Sequence, residues 1–194
     1  EIYTLSLHDA LPILVDASRR QPVILVGPPG AGCSSAARAL AALRGTASTD
    51  LAEQTAAGLG VEPELALVMA PEAQYRRVEE ACALRLIAQA RAEGTVVALG
   101  SGCLGAGPVR AALAALADSG GRIIALTAST RRLASRNGLD APRSVALGTV
   151  RHEFTLMLHA REAQCRQVAD RVVDTTDLEA EQVAALLDSS GARQ

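Results

Sequence analysis

A glycine-rich segment at residues 27–35 has the residue types and spacing of a phosphate-binding loop. Gly27, Gly32 and Ser34 match the pattern G-x-x-x-x-G-K-[ST], in which backbone N–H groups surround phosphate oxygens and the hydroxyl ligates Mg²⁺. The lysine of the pattern is missing, and Cys33 stands in its place. A thiol cannot supply the positive charge that a lysine places beside the β- and γ-phosphates. The segment therefore predicts a phosphate site without its lysine.

The flanks of this segment favour a phosphate loop over a simple Gly/Pro turn, although the turn alone would need no nucleotide. Val23–Val26 is a β-branched apolar run typical of a buried strand, and Ala36–Leu43 has the pattern of a helix. Free N–H groups and the helix dipole favour an anion at such a helix start. The predicted phosphate-binding residues are Gly27, Gly30, Ala31, Gly32, Cys33, Ser34 and Ser35.

Two interpretations of Cys33 remain open. A thiol at a helix N-terminus can have a lowered pKa and act as a reactive thiolate, or it is a small neutral replacement. All 19 Lys+Arg residues are arginine, so no lysine elsewhere in this sequence replaces the missing one. An arginine is a wider planar group and not an equivalent point charge.

Composition limits the classes of protein that fit. The 194 residues suit a single domain, and the 49% of apolar residues with 2% aromatics predict an aliphatic core. A net charge of −2 without a basic block argues against nucleic-acid binding by this segment, and the apolar runs are too short to span a membrane. The four cysteines lack metal-ligand spacing, and a disulfide framework is not expected in a domain of this size. Reduced thiols and a cytoplasmic location are therefore predicted.

The start of the sequence is expected to lie outside the folded domain. Residues 1–13, EIYTLSLHDALPI, look like the translation of a sequencing adaptor, and residues 14–21 are predicted to be a linker. The folded domain is predicted at residues 22–190. This interpretation leaves room for a missing N-terminal domain.

Short apolar runs alternate with helical patterns along the domain, which predicts a parallel sheet covered on both faces. Segment Ser129–Thr149, with weak periodicity, is predicted to be a loop or mobile lid rather than core, and Thr176–Asp177 a cap for the last helix. The predicted strands are Val23–Val26, Val96–Leu99, Ile123–Leu126 and Val172–Val173, with a weaker one at Thr46–Thr49. The predicted helices are Ala36–Leu43, Leu51–Gly58, Glu72–Glu93, Val109–Asp118, Arg131–Asn137, Arg151–Arg166 and Glu179–Leu187.

Five further motifs follow the loop in a recognisable order. A D-x-D motif is represented by Ser48-Thr49-Asp50, and G-E-x-x-F-R-x-x-E by the segment from Pro71 to Glu79. A G-G-G strand end reads Gly100-Ser101-Gly102, and R-P-L-L reads Ala141-Pro142-Arg143-Ser144. The last motif, R-x-x-x-Y-x-x-x-A, is represented by Arg161, Cys165 and Ala169.

With the loop, these motifs resemble the shikimate kinase family over about residues 22–187. The resemblance implies an α/β fold of three layers, α/β/α, with a five-stranded parallel sheet of order 2-3-1-4-5. It implies ATP and Mg²⁺ as cofactors and phosphorylation of the 3-hydroxyl of shikimate. Asp50 would be the catalytic residue, and Ser34 and Asp50 would hold Mg²⁺. The implied substrate-binding residues are Asp50, Arg76, Glu79, Gly100, Ser101, Gly102 and Arg161, with Arg76 and Arg161 on the substrate carboxylate.

The departures from the family pattern fall on the positions that handle ATP. The loop lysine, the first aspartate (here Ser48) and the lid arginine (here Ala141, with Arg143 close by) are replaced, whereas Arg76 and Arg161 are present. Losing one electrostatic donor of this kind costs about 10²–10³ in rate. The sequence therefore predicts a weak or inactive kinase that keeps a small-molecule pocket.

Other roles for these residues remain open. Arg76 and Arg161 are also compatible with exposed helix positions, Asp50 with a helix cap, and Glu72 and Glu79 with ion pairs to Arg76. The segments around Tyr75 and Thr175 are similar to shikimate-kinase-like domains of helix-turn-helix regulators, which implies an effector such as an aromatic acid or acyl-CoA and a missing DNA-binding domain. A pseudokinase with a structural or partner-binding role and no small-molecule ligand is the third alternative.

Overall fold

The computed structural model of the chain describes residues 21–139 and 145–189. Its centre is a parallel sheet of five strands in the order β2-β3-β1-β4-β5. The predicted fold class and strand order are therefore confirmed. The strands are β1 Val23–Val26, β2 Ser48–Asp50, β3 Val96–Ala98, β4 Arg122–Thr127 and β5 Arg171–Asp174.

Helices cover both faces of the sheet. Two 3₁₀ turns, Pro63–Leu65 and Gly102–Gly105, supplement them. The helices are α1 Cys33–Arg44, α2 Leu51–Leu59, α3 Ala66–Met69, α4 Glu72–Glu93, α5 Gly107–Asp118, α6 Thr130–Arg136, α7 Val145–Val168 and α8 Ala180–Ser189.

The central strand β1 divides the core into two layers because its side chains alternate between the faces of the sheet. Val23 and Leu25 pack with α1 and α8, whereas Ile24 and Val26 pack with α4 and α5. All four side chains are fully buried, so the strand has apolar residues at every position. The loop that follows β1 is thus anchored at the carboxyl end of the most enclosed strand.

Several boundaries differ from the predicted ones. The short turn and helix at 63–69 were not predicted, because these segments are too short to show a period. The prediction of a loop outside the core for Ser129–Thr149 is wrong at both ends, because the segment begins with α6, whose Leu133 is buried in the core, and ends in the first residues of α7. Motif residues Ala141–Ser144, and the adaptor and linker predictions for residues 1–20, lie outside the described residues.

The predicted cap of the last helix is wrong. The Glu179 carbonyl accepts the first bond of this helix from Val183, and the Glu179 N–H donates to Gln182. Thr176 instead donates its hydroxyl to Asp174 and accepts from the Ser129 N–H. Thr176 therefore stabilises the turn after β5, because its hydroxyl already has partners there.

Candidate functional site

A pocket of about 700 Å³ lies at the carboxyl ends of the parallel strands. Switch points of open parallel sheets are common places for ligands. All but one of the predicted site residues line it: Gly27, Gly30, Ala31, Gly32, Cys33, Ser34, Ser35, Arg76, Glu79, Gly100, Ser101, Gly102 and Arg161. The exception is Asp50. The fold therefore brings together motifs more than 100 positions apart in the chain.

The loop presents the start of α1 to this pocket. Gly32 is the N-cap residue, and the first intrahelical bond runs from the Ala36 N–H to the Gly32 carbonyl at 2.9 Å. The N–H groups of the three residues from Cys33 to Ser35 therefore have no acceptor within the helix. Donors of this kind, added to the helix dipole, suit a phosphate group.

Cys33 turns its side chain into the protein. It is buried in the cluster beneath α1, and its Sγ lies 2.9 Å from where a Cβ on Gly27 would stand. Burial raises the pKa of the Cys33 thiol well above its ordinary value, and the nearby Cys165 and Asp50 raise it further. The reactive-thiolate interpretation is therefore wrong, and Cys33 is a small neutral residue at the position of the missing cation.

Arg76 and Glu79 form an ion pair on the opposite wall. Arg76 Nη1 donates to Glu79 Oε2 at 2.8 Å, and its Nε lies 3.8 Å from Glu72 Oε1. The Glu79 side chain is 8% exposed and the Arg76 side chain 39% exposed, so the carboxylate is buried and the guanidinium faces outward. The predicted ion pairs with Arg76 are confirmed, and they leave part of the guanidinium accessible.

Gly102 allows Glu79 to lie where it does. A Cβ on Gly102 would collide with Glu79 Oε1 and approach Arg76 Nη1 to 3.3 Å. The absence of a side chain at this position is thus required by the ion pair, and the pair would have to move if one were added.

Arg161 reaches the same wall from α7. Its Nη1 donates to the carbonyls of Ser101 at 3.0 Å and Gly102 at 3.3 Å. Within residues 21–139 and 145–189, no carboxylate is paired with this guanidinium. The positive charge of Arg161 is therefore not neutralised by these contacts and would attract an anion in the pocket.

Asp50 has a different immediate role. Its Oδ1 accepts from the Ala52 N–H at 2.8 Å and caps α2. The cap interpretation is confirmed, and a catalytic or metal role for Asp50 stays a prediction. The part of the chain that the structure describes holds no group of three or more His, Cys, Asp or Glu side chains that could bind a metal ion.

Comparison with known proteins agrees with this arrangement. The family model described as "Shikimate kinase" matches residues 29–189. The shikimate kinase of Streptomyces coelicolor is 31% identical over 168 residues, covering 86% of this chain and 94% of its own length. That of Bordetella pertussis is 35% identical over 156 residues, covering 79% of this chain and 70% of its own length.

The chain belongs to the shikimate kinase family. A solved shikimate kinase from Acinetobacter baumannii, in complex with shikimate, superposes with a TM-score of 0.72. It is 21% identical and covers 93% of this chain and 99% of that one, which supports the shared fold. Across the described ranges, no helix combines the length and apolar character needed to cross a membrane.

Shikimate kinases use ATP and Mg²⁺, and the loop of this chain suits the phosphate groups of ATP. Glycines and unpaired N–H groups fit phosphate oxygens, and the Ser34 hydroxyl lines the pocket beside them. Mg²⁺ accepts one or two protein oxygens and keeps several waters. Ser34 lines the pocket and would supply one such oxygen, and Asp50, which does not line it, stays a predicted second ligand.

Three side chains that contact the loop were missed by sequence patterns. Arg136, Asn137 and Thr175 donate to the carbonyls of Gly30, Pro29 and Ala31. They belong to α6, the residue after it and the end of β5. The segment around Thr175 was noted only for its resemblance to regulator domains, and nothing in the sequence predicts these contacts, since only the fold brings these segments against the loop.

Proposed function

We propose that this chain binds shikimate or a similar small carboxylate together with a phosphate-bearing ligand, and that its phosphoryl transfer is weak or lost. The observation that carries the proposal is Cys33. Its thiol is neutral and buried, whereas the N–H groups of Cys33 to Ser35 at the start of α1 have no acceptor within the helix and suit a phosphate. Binding by N–H donors does not need the lysine, whereas stabilising the charge that develops on the γ-phosphoryl group does.

The carboxylate end of the site supports a small acidic ligand. Arg161 and Arg76 line one wall of the pocket, and their planar groups suit two-point contact with a carboxylate. The related Acinetobacter enzyme was solved with shikimate, which makes shikimate the first ligand to test.

The residues of this chain have defined tasks in such a reaction. Arg161 and Arg76 hold the carboxylate and so orient the ring, which places the reacting hydroxyl towards the loop. Asp50 accepts the hydroxyl proton or holds the cation, and the α1 N–H groups hold the phosphate oxygens. ATP with Mg²⁺ supplies the phosphoryl group when bound. Loss of one charge-stabilising group costs about 10²–10³ in rate, equivalent to about 3–4 kcal/mol.

Restoring the lysine tests this proposal. The wild-type chain, Cys33→Lys and a Gly32→Asp control are compared for ADP formation from ATP with shikimate. We expect Cys33→Lys to raise kcat by about 10²-fold and Gly32→Asp to abolish activity. Wild-type turnover in the range of active kinases, about 1–100 s⁻¹, would contradict impaired transfer. Calorimetry that detects neither ADP nor shikimate binding to the wild type would contradict the binding part.

A second candidate function is effector sensing by a shikimate-kinase-like domain of a helix-turn-helix regulator. The observation that favours it is that Arg161 offers a positive charge for a ligand carboxylate while the phosphate loop has no lysine. Such a domain should bind an aromatic acid or acyl-CoA more tightly than shikimate, with no turnover. Tighter binding of shikimate, or a natural gene that begins close to residue 14, would count against it.

A further inference from the structure

Three successive carbonyls of the phosphate loop accept hydrogen bonds from side chains outside the loop. Asn137 Nδ2 donates to Pro29 O at 3.1 Å, and Arg136 Nη1 donates to Gly30 O at 2.9 Å. Thr175 Oγ1 lies 2.9 Å from Ala31 O. Each carbonyl at the outer turn of the loop thus lies within hydrogen-bond distance of a side-chain donor, and the donors come from two distant segments.

The end of α6 lies directly against the loop at Gly30. Gly30 has φ +84°, a conformation that suits glycine, and a Cβ there would stand 2.6 Å from Asn137 Nδ2 and 3.4 Å from Arg136 Cβ. The close approach of α6 therefore depends on the missing side chain. Gly30, Arg136 and Asn137 therefore form one contact between α6 and the loop.

Thr175 connects this contact to the sheet. It is 2% exposed, and its Oγ1 lies 3.0 Å from the Thr127 carbonyl at the end of β4 as well as near Ala31 O. Arg136 Nη2 also donates to the Thr175 carbonyl at 3.2 Å. The loop, α6 and the ends of β4 and β5 are therefore linked through two side chains.

Carbonyl oxygens that turn towards a bound phosphate would repel it, because both carry negative charge. Partners that hold Pro29, Gly30 and Ala31 by their carbonyls keep these oxygens occupied, while the Ala31 N–H donates to the Pro28 carbonyl at 3.1 Å. The N–H groups of Cys33 to Ser35, at the start of α1, are then left for the ligand. We propose that Arg136, Asn137 and Thr175 are positioning residues that hold the loop in its phosphate-binding conformation. The proposal rests on the proposed binding of a phosphate-bearing ligand.

Two pairs of variants separate positioning from simple charge or folding effects. Thr175→Val removes the hydroxyl at nearly constant volume, and Thr175→Ser keeps it. Arg136→Gln removes the charge and the fork, whereas Arg136→Lys keeps the charge but cannot bridge Gly30 O and Thr175 O in the same way. Asn137→Ala removes the third donor. Arg132→Gln, an exposed position on the same helix, is the matched control.

ADP and shikimate binding to the full chain is measured by calorimetry, and the melting temperature of each variant is recorded. We expect about a tenfold weaker Kd for ADP in Thr175→Val, Arg136→Gln and Arg136→Lys, and about a fivefold weaker Kd in Asn137→Ala. Thr175→Ser and Arg132→Gln should stay within about twofold of the wild type. Shikimate binding should be unchanged throughout, because the two arginines predicted to bind its carboxylate, Arg76 and Arg161, lie on α4 and α7.

Three outcomes would overturn the inference. If all variants bind ADP like the wild type, these residues do not position the loop. If Arg136→Lys alone is normal, its charge matters and its two carbonyl bonds do not. If shikimate binding and the melting temperature fall together with ADP binding, the role is general stability. A wild type that binds shikimate but not ADP would instead refute the phosphate part of the proposed function.

Discussion

Replacing Gly102 by alanine should displace the buried carboxylate of Glu79. The new methyl group would collide with Glu79 Oε1, lie 3.2 Å from Glu79 Cδ and lie 3.3 Å from Arg76 Nη1. Because the Glu79 side chain is 8% exposed, it has little room to move without losing its 2.8 Å bond to Arg76. We therefore expect Gly102→Ala to lower both stability and carboxylate binding.

The magnitude follows from two effects. Overpacking costs about 1–3 kcal/mol, and a hydrogen bond between charged groups contributes about 1.5–3 kcal/mol. The Arg76 side chain is 39% exposed, so solvent screens part of the second effect and the two overlap. A loss of about 2 kcal/mol in the free energy of unfolding is expected, equivalent to a fall of about 4–8 °C in Tm for a chain of this size.

Urea unfolding followed by circular dichroism measures this loss against a matched control. Gly105→Ala lies in the same 3₁₀ turn, and a Cβ there would meet nothing within 4 Å. Any effect of alanine on the unfolded chain is similar in both variants and cancels. In a Glu79→Ala background the cost of Gly102→Ala should shrink by at least half. Equal stability of Gly102→Ala and Gly105→Ala, or an undiminished cost in that background, would refute the reasoning.

Three further predictions address other parts of the domain. Burial raises the pKa of the Cys103 and Cys165 thiols from 9.0 to about 12. Because the thiolate is the reactive form, both should react with Ellman's reagent at about pH 8 roughly a thousandfold more slowly than after unfolding. Rapid labelling of the native protein would contradict this. Arg44→Ala should lower the free energy of unfolding in urea by about 2 kcal/mol, because it removes a guanidinium that is 1% exposed and lies 2.9 Å from Asp188. The Asp188 carboxylate left behind is 43% exposed and can be hydrated, which limits the loss. A loss below about 0.5 kcal/mol would contradict this prediction. Hydrogen bonds from Arg166 and then Thr127 lower the pKa of Glu162 below 4.5, so its stabilising effect is present above about pH 4.5 and is lost as the pH falls through the lower folded-state pKa. Between about pH 6 and about pH 3.5 the wild type should therefore lose more Tm than Glu162→Gln, and equal losses would refute this role.

Much of the architecture could be predicted from local patterns. Val23–Val26 and Glu72–Glu93 have the predicted boundaries because an apolar β-branched run and a long helical period are both strong local signals. The pairing of Arg76 with Glu79 was also accessible, since residues three apart share a helix face. The strand order came from the family resemblance, because the local pattern does not specify which strands are neighbours.

The fate of individual site residues depended on the environment that the fold creates. A helix N-terminus suggested a lowered pKa for Cys33, but burial outweighs that effect and keeps the thiol neutral. Asp50 matched a catalytic position, and its carboxylate also caps α2. The cap joins residues two positions apart and was accessible from the sequence. The state of Cys33 was not, because burial depends on residues far away in the chain.

The sequence by itself determined that a phosphate loop without its lysine follows a buried strand and precedes a helix. These features involve residues that are neighbours in the chain, so the spacing of residue types is enough to predict them. Only the tertiary structure decided that Arg161 holds the carbonyls of Ser101 and Gly102, and that Thr175 reaches Ala31. These partners are 60, 59 and 144 positions apart. Ala31, Ser101 and Thr175 meet at one edge of the sheet because each follows the carboxyl end of a parallel strand, and α7 brings Arg161 to the same edge, which no local period encodes.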